Sequence, residues 1–113
     1  MENQIERPWG YYRVLHEVPG MKVKELTVGP GKNLSMQRHF KRREYWIISE
    51  GAAVVNSELA SGYAMPSKLL QKHDEYHVLK EEWHQLTNPF DVPLKVVEIQ
   101  YSEQCVEEDI ERK

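Results

Sequence analysis

Apolar and polar residues alternate in short runs along the chain, and turn signals separate the runs. "GYYRVLHEV" alternates weakly and stops at Pro19 and Gly20. In "MKVKELTV" the two-residue period puts Lys22, Lys24, Leu26 and Val28 on one face. "GPGKN" breaks the chain, "LSMQRHF" alternates again, and "EYWIIS" is a β-rich apolar run closed by Gly51. "AAVVNSEL", "YHVL" and "HQLTN" are further strand candidates, and "PLKVVEIQY" is the strongest late one. The tail "SEQCVEEDIERK" has the only helix-like period, which predicts a short helix or an irregular tail. Many short strands with regular turns predict an all-β barrel or sandwich, closed so that its strand edges are protected.

Composition changes this picture little. The 113 residues, 40% hydrophobic and 29% charged, suit one soluble globular domain over 1–113. A net charge of -3 offers no general attraction to nucleic acid or to a membrane surface. A single cysteine, Cys105, excludes an internal disulfide and favours a reducing, cytoplasmic setting. The charged start "MENQIERPWG" does not resemble a secretory leader, and no apolar run approaches the length of a membrane span.

The informative stretch is "NLSMQRHFKRREYW". Alternation puts Leu34, Met36 and Phe40 on one face, and Asn33, Ser35, Gln37 and His39 on the other. Taken alone, this describes an ordinary strand with one wet side. Two features oppose that reading. Glu44 shares a strand face with Trp46 and Ile48, which is poor company for a solvated carboxylate. A second histidine, His84, shares its face with Leu86 and Asn88.

The spacing is also specific. Gly31, Gln37, His39, Glu44 and Gly51 follow one another with gaps of five, one, four and six residues. This resembles the first cupin motif with Gln in place of its first His. His84, three residues, then Asn88 resembles the end of the second. The wider match is to the cupin domain at the C-terminus of bifunctional mannose-6-phosphate isomerase/mannose-1-phosphate guanylyltransferases, the type II phosphomannose isomerases. It runs through "RPWG" with Tyr12 and Leu15, "KVKELTVGPGKNLSMQ", "REYW" beside the family pattern RAEHW, "HQLTNP", "PLKVVEIQ" and "EEDIER".

The resemblance implies a jelly-roll barrel holding one divalent metal ion on Gln37, His39, Glu44 and His84. Two imidazoles and two oxygen donors suit zinc, manganese or cobalt, and also nickel or iron. It implies interconversion of mannose 6-phosphate and fructose 6-phosphate through an enediol. Arg42, Lys22, Lys24 and Arg112 are then the expected phosphate contacts, with Arg42 first because a planar guanidinium suits phosphate. Arg42, His77 and Glu98 are the expected catalytic groups, with Tyr76 and Gln100 nearby in sequence terms. Glu98 could instead orient a ligand imidazole. His16 and His73 are expected at the surface, and Trp9 and Tyr12 in packing. Domains of this kind pair through a terminal strand, so "GYYRVL" makes a homodimer an expectation.

The chain departs from the family at four positions. Phe40 and Lys41 replace histidines and are expected to alter the mouth of the site. Leu79 and Glu81 replace the Pro and Gly of the turn that presents His84. The departures leave a non-catalytic cupin that binds a sugar or sugar phosphate, or another metal-dependent cupin enzyme, as the competing readings.

Overall fold

The computed structural model describes residues 3–102 and 109–113. The described residues contain strands and no helix, and no helix among them is long and apolar enough to cross a membrane. The strands are β1 (Ile5–Arg7), β2 (Gly10–Val18), β3 (Met21–Val28), β4 (Gln37–Arg38), β5 (Arg43–Glu50), β6 (Ala53–Glu58), β7 (Lys68–Leu70), β8 (Glu75–Val78), β9 (Trp83–Thr87), β10 (Leu94–Tyr101) and β11 (Glu111–Arg112). They form a six-stranded sheet, β1-β2-β3-β10-β5-β8, and a five-stranded sheet, β11-β4-β9-β6-β7. Every strand pair is antiparallel.

The expected all-β barrel is therefore present, but the expected tail helix needs correction. Residues 103–108 lie outside the described residues. Beyond them, Glu111 and Arg112 pair with Arg38 and Gln37 as strand β11. A non-local ladder outweighs the helical preference of "EEDIER", as tertiary pairing often does. Of the "GYYRVL" stretch, Val14 and Leu15 are exposed at the bulge in β2.

The inward faces change character along their length. On β10 they read Leu94, Val96, Glu98 and Gln100; on β3, Val28, Leu26 and Lys24; on β5, Ile48, Trp46 and Glu44. The register aligns these sequences. Leu94 faces Val28, and Val96 lies between Leu26 and Ile48. Glu98 lies between Lys24 and Trp46, and Gln100 faces Glu44. One end of the interior is thus an apolar core, completed by Ala53, Val55, Leu70, Val78 and Leu86. The other end is polar. Each fully buried aliphatic side chain at the apolar end contributes about 1.5–3 kcal/mol, and this layer supports the polar one.

Two motif residues serve the frame rather than the site. Gly51 has φ +78°, and a Cβ there would lie 2.5 Å from the Pro93 carbonyl oxygen, so only glycine fits. Asn88 is fully buried. Its Nδ2 donates towards the carbonyls of Val92 (2.8 Å), Val28 (3.1 Å) and Gly29 (3.2 Å), while its Oδ1 accepts from the Phe90 N–H (3.2 Å). Asn88→Ala strips partners from several buried backbone groups. It is expected to lower unfolding free energy by about 2–4 kcal/mol in urea titration. A loss below roughly 0.5 kcal/mol, the range of a neutral surface change, would contradict this role.

Candidate metal centre

Alternation on β5 and β9 delivers Glu44 and His84 into the polar end of the barrel, and the loop after β4 delivers His39. All three are buried, at 2%, 4% and 1% exposure. Their ligand atoms lie within 4.8 Å of one another, an arrangement that could hold a metal ion. His39 Nε2 is 3.0 Å from Glu44 Oε2, and His84 Nε2 is 3.9 Å from Glu44 Oε1.

Backbone carbonyls select the tautomers. His39 Nδ1 donates to the Asp109 carbonyl at 2.7 Å, and His84 Nδ1 donates to the Glu82 carbonyl at 3.0 Å. Both Nε2 lone pairs are therefore turned towards Glu44, as metal-binding imidazoles require. Burial pushes the His84 pKa down despite the nearby Glu44 charge, which keeps that ring neutral. Burial alone would push the Glu44 carboxyl up. Its polar neighbours His39, His84, Glu98 and Arg42 together hold it well below the usual carboxylate range.

Two acceptors 3.0 Å apart need a shared positive charge. Arg42 supplies one here: its Nη2 is 2.9 Å from Glu44 Oε2 and 3.1 Å from His39 Nε2. A divalent ion would meet the same requirement, so the donor set fits a metal. Gln37 lines the same cavity, directly across from His84 in the β4–β9 pair. Its Nε2 donates to Ser35 Oγ at 3.0 Å, which leaves the amide oxygen as the atom a cation would use.

Glu98 lies beside this cluster. The Trp46 indole N–H is shared between Glu44 Oε1 and Glu98 Oε2, each at 3.1 Å, and Gln100 Nε2 donates to Glu98 Oε1 at 2.9 Å. Glu98 does not orient an imidazole; backbone carbonyls do that. Burial, then the Glu44 charge and hydrogen bond, push its pKa up to about 8. One of two neighbouring carboxyls is thus held ionised and the other protonated.

The remaining expected residues divide clearly. Lys24, Arg42 and Arg112 line the cavity, whose volume is about 540 Å³. Lys22 does not; it lies near the end of β3, 3.9 Å from Glu17. His77 is the clearest correction. It is exposed and stacks on Tyr45 at 4.6 Å on the outer sheet face, because β8 turns Tyr76 and Val78 the other way. Tyr76 packs on Trp46, and its hydroxyl donates to Glu82 at 2.5 Å. His16 and His73 are exposed, as expected.

Phe40 and Lys41 are exposed and do not line the cavity; their N–H groups donate to the Asp109 carboxylate at 2.9 and 2.8 Å. The turn before His84 forms without Pro and Gly. Glu81 takes φ +64°, and the Glu82 carboxylate accepts from the Leu79 N–H at 3.1 Å. Sequence reasoning missed Arg7, which lines the cavity mouth, and Asp109. "RPWG" and "EEDIER" were the available signals.

Two outcomes follow. His39→Ala and His84→Ala should each abolish stoichiometric binding of zinc or manganese in calorimetric titration, and Gln37→Ala should weaken it. Retention of wild-type affinity in either histidine variant would contradict the assignment. The pH dependence of the metal-free protein has a definite sign. Between the ordinary carboxyl value of 4.5 and about 8, folded Glu98 keeps a proton that the unfolded chain has lost. Stability therefore falls as pH rises through that window, by up to about 1.4 kcal/mol per pH unit. The depressed Glu44 contributes oppositely, and its contribution is lost only at acid pH below 4.5. His84, lowered by burial, works the other way below 6.5, so urea titrations with chelator at pH 7 and pH 8 should show the Glu98 fall, and Glu98→Gln should remove it.

Comparison with known proteins places this geometry in a family. The model for the mannose-6-phosphate isomerase C-terminal domain matches residues 1–113. The alginate biosynthesis protein AlgA of Pseudomonas aeruginosa is 34% identical over 109 residues, covering 96% of this chain and 21% of that protein. The mannose-1-phosphate guanylyltransferase ManC of Salmonella typhimurium is 32% identical over 114 residues, covering 99% of this chain and 22% of that protein. The chain thus spans about a fifth of the length of these relatives.

Among solved structures, the capsular polysaccharide assembling protein CapF from Staphylococcus aureus superposes with TM-score 0.85 at 14% identity, over 97% of this chain and 32% of that one. Oxalate decarboxylase from Bacillus subtilis gives 0.84 at 15%, over 98% and 30%. A cupin-superfamily sugar phosphate isomerase from Silicibacter pomeroyi gives 0.66 at 17%, over 80% and 59%. These likenesses establish the cupin fold, and with the family match they show that the chain belongs to the mannose-6-phosphate isomerase C-terminal family.

Proposed function

We propose that this domain interconverts mannose 6-phosphate and fructose 6-phosphate by proton transfer through an enediol. The observation that carries the reading is the Glu44–Glu98 pair. Two carboxyls share one indole N–H, yet their surroundings drive their proton affinities apart. Such divergence is how a site assigns one carboxylate to charge and another to proton transfer.

The reaction removes the proton at C2 of the aldose and returns one at C1 of the ketose. A group that exchanges protons near neutral pH is needed beside the carbonyl. Glu98 lines the cavity, and in the metal-free interior burial and the Glu44 charge raise its pKa to about 8. In its ionised form Glu98 takes the C2 proton and the resulting acid donates to C1, while a hydroxyl proton passes from O2 to O1. Trp46 and Gln100 hold the carboxyl in place through either protonation state. A divalent ion held by Gln37, His39, Glu44 and His84 would supply Lewis-acid stabilisation of the oxyanion that develops on the sugar. The walls of Trp9, Leu26, Leu34, Trp46 and Leu86 limit water at the reacting carbons. Membership of the mannose-6-phosphate isomerase C-terminal family supports the same reading.

The test is a coupled assay for fructose 6-phosphate with metal-loaded protein and mannose 6-phosphate. Turnover is expected, and it should stop when a chelator removes the metal. Glu98→Gln should lower kcat by roughly 10²–10⁴-fold, the usual worth of a general base, with metal stoichiometry unchanged. Unaltered kcat in Glu98→Gln would overturn its role. Absence of turnover in the loaded wild-type protein would overturn the isomerase reading.

A further inference from the structure

Three cationic side chains line the cavity without a carboxylate at ion-pair distance among the described residues: Arg7, Lys24 and Arg112. Lys24 is the unusual one. It is 7% exposed, and a lysine so buried is ordinarily paired. Its ammonium lies 4.4 Å from the centre of the Tyr12 ring, and Glu98 faces it across the β3–β10 ladder. The Arg7 guanidinium lies 5.3 Å from the centre of that same ring and 3.5 Å from its hydroxyl. Two positive charges therefore gather on one aromatic side chain at one wall of the cavity. A ring quadrupole attracts a cation but does not neutralise it.

The other cation near the centre is already committed. Arg42 is bound to both Glu44 and His39. Its ion pair turns it towards the candidate metal ligands, which leaves Arg7, Lys24 and Arg112 as the cavity's cations, and Arg7 and Lys24 are the two that share one ring.

We propose that Arg7 and Lys24 bind the phosphate of the sugar phosphate, and that Tyr12 is the positioning residue that holds both charges at that end. The inference rests on the sugar-phosphate reading of the same cavity and adds where each end of the substrate lies. Lys24 faces Glu98 on β10, and Glu98 faces Trp46 on β5, so β3 and β5 are separated by one strand. At about 4.8 Å per strand, the Lys24 backbone on β3 is roughly 10 Å from the strand that carries Glu44. With carbon–carbon bonds of about 1.5 Å, an extended six-carbon sugar with a terminal phosphate spans roughly 8 Å. A ligand of that length reaches from Tyr12 to the histidines. A three-carbon phosphate is shorter than that span.

Calorimetric titration of the full, metal-loaded chain with mannose 6-phosphate, mannose and glycerol 3-phosphate tests this. The wild-type protein should bind mannose 6-phosphate at least tenfold more tightly than either of the others. Arg7→Gln, at an exposed position that the fold does not need, should lose about tenfold or more in affinity for mannose 6-phosphate. Its affinities for mannose and for the metal should be unchanged. Lys24→Met should behave alike. Tyr12→Leu should lose affinity for the phosphate sugar alone, and Tyr12→Phe should restore most of it because the ring is kept.

Wild-type affinity in Arg7→Gln, or equal wild-type binding of mannose and mannose 6-phosphate, would overturn the proposal. Phosphate-dependent binding without isomerisation would sink the catalytic reading and leave this one standing. Isomerisation indifferent to Arg7 and Lys24 would do the reverse.

Discussion

The rest of the polar interior depends on the burial of one negative charge. Glu44 is 2% exposed, in a barrel whose other end is packed with Val, Ile and Leu. Removing a carboxylate from water costs several kcal/mol unless partners replace the solvent. Here Arg42 donates to one oxygen and the Trp46 indole to the other. Without a bound cation, Glu98 alongside it keeps its proton up to about 8, since two charges at that separation in a dry interior would repel strongly. The same demand for positive charge at Glu44 makes the site suitable for a cation. Structural necessity and chemical capacity are one property of this cluster.

The C-terminal segment is part of that arrangement. The Asp109 carbonyl sets the His39 tautomer, and its carboxylate fastens the Phe40 and Lys41 N–H groups. Ile110 and Arg112 continue along the cavity wall, and β11 then pairs with β4, the strand that carries Gln37. Lys113 and Arg38 both lie 4.6 Å from the centre of the Trp83 ring, next to His84 in sequence. A segment that touches both histidine-bearing elements and also contributes a cavity cation links metal-ligand orientation to the substrate wall.

Much of this was legible because strand geometry is periodic. The inward positions of β3, β5 and β10 follow from alternation, and so does the approach of Glu44 and His84. Face parity also explains what was misjudged. His77 lies one position from an inward residue, and in a four-residue strand the sequence offers no internal check on which face is which. Lys22 has the right parity, but it lies beyond the cavity beside Glu17, and distance along a strand is invisible to a two-residue period.

Phe40 and Lys41 looked like changes at the mouth of the site. They are anchoring points for Asp109, a contact that spans 69 residues and that no local pattern encodes. The turn at Leu79 and Glu81 lacks its usual residues. A left-handed Glu81 and a side-chain cap from Glu82 replace them, so His84 arrives where the motif would have placed it.

The central claim is that this interior transfers a proton on a sugar phosphate. Proton NMR of mannose 6-phosphate with metal-loaded protein in heavy water tests it most directly. The account predicts deuterium at C2 of recovered mannose 6-phosphate, with fructose 6-phosphate labelled at C1. An unlabelled substrate after prolonged incubation, with metal bound and the sugar phosphate at saturation, would contradict it.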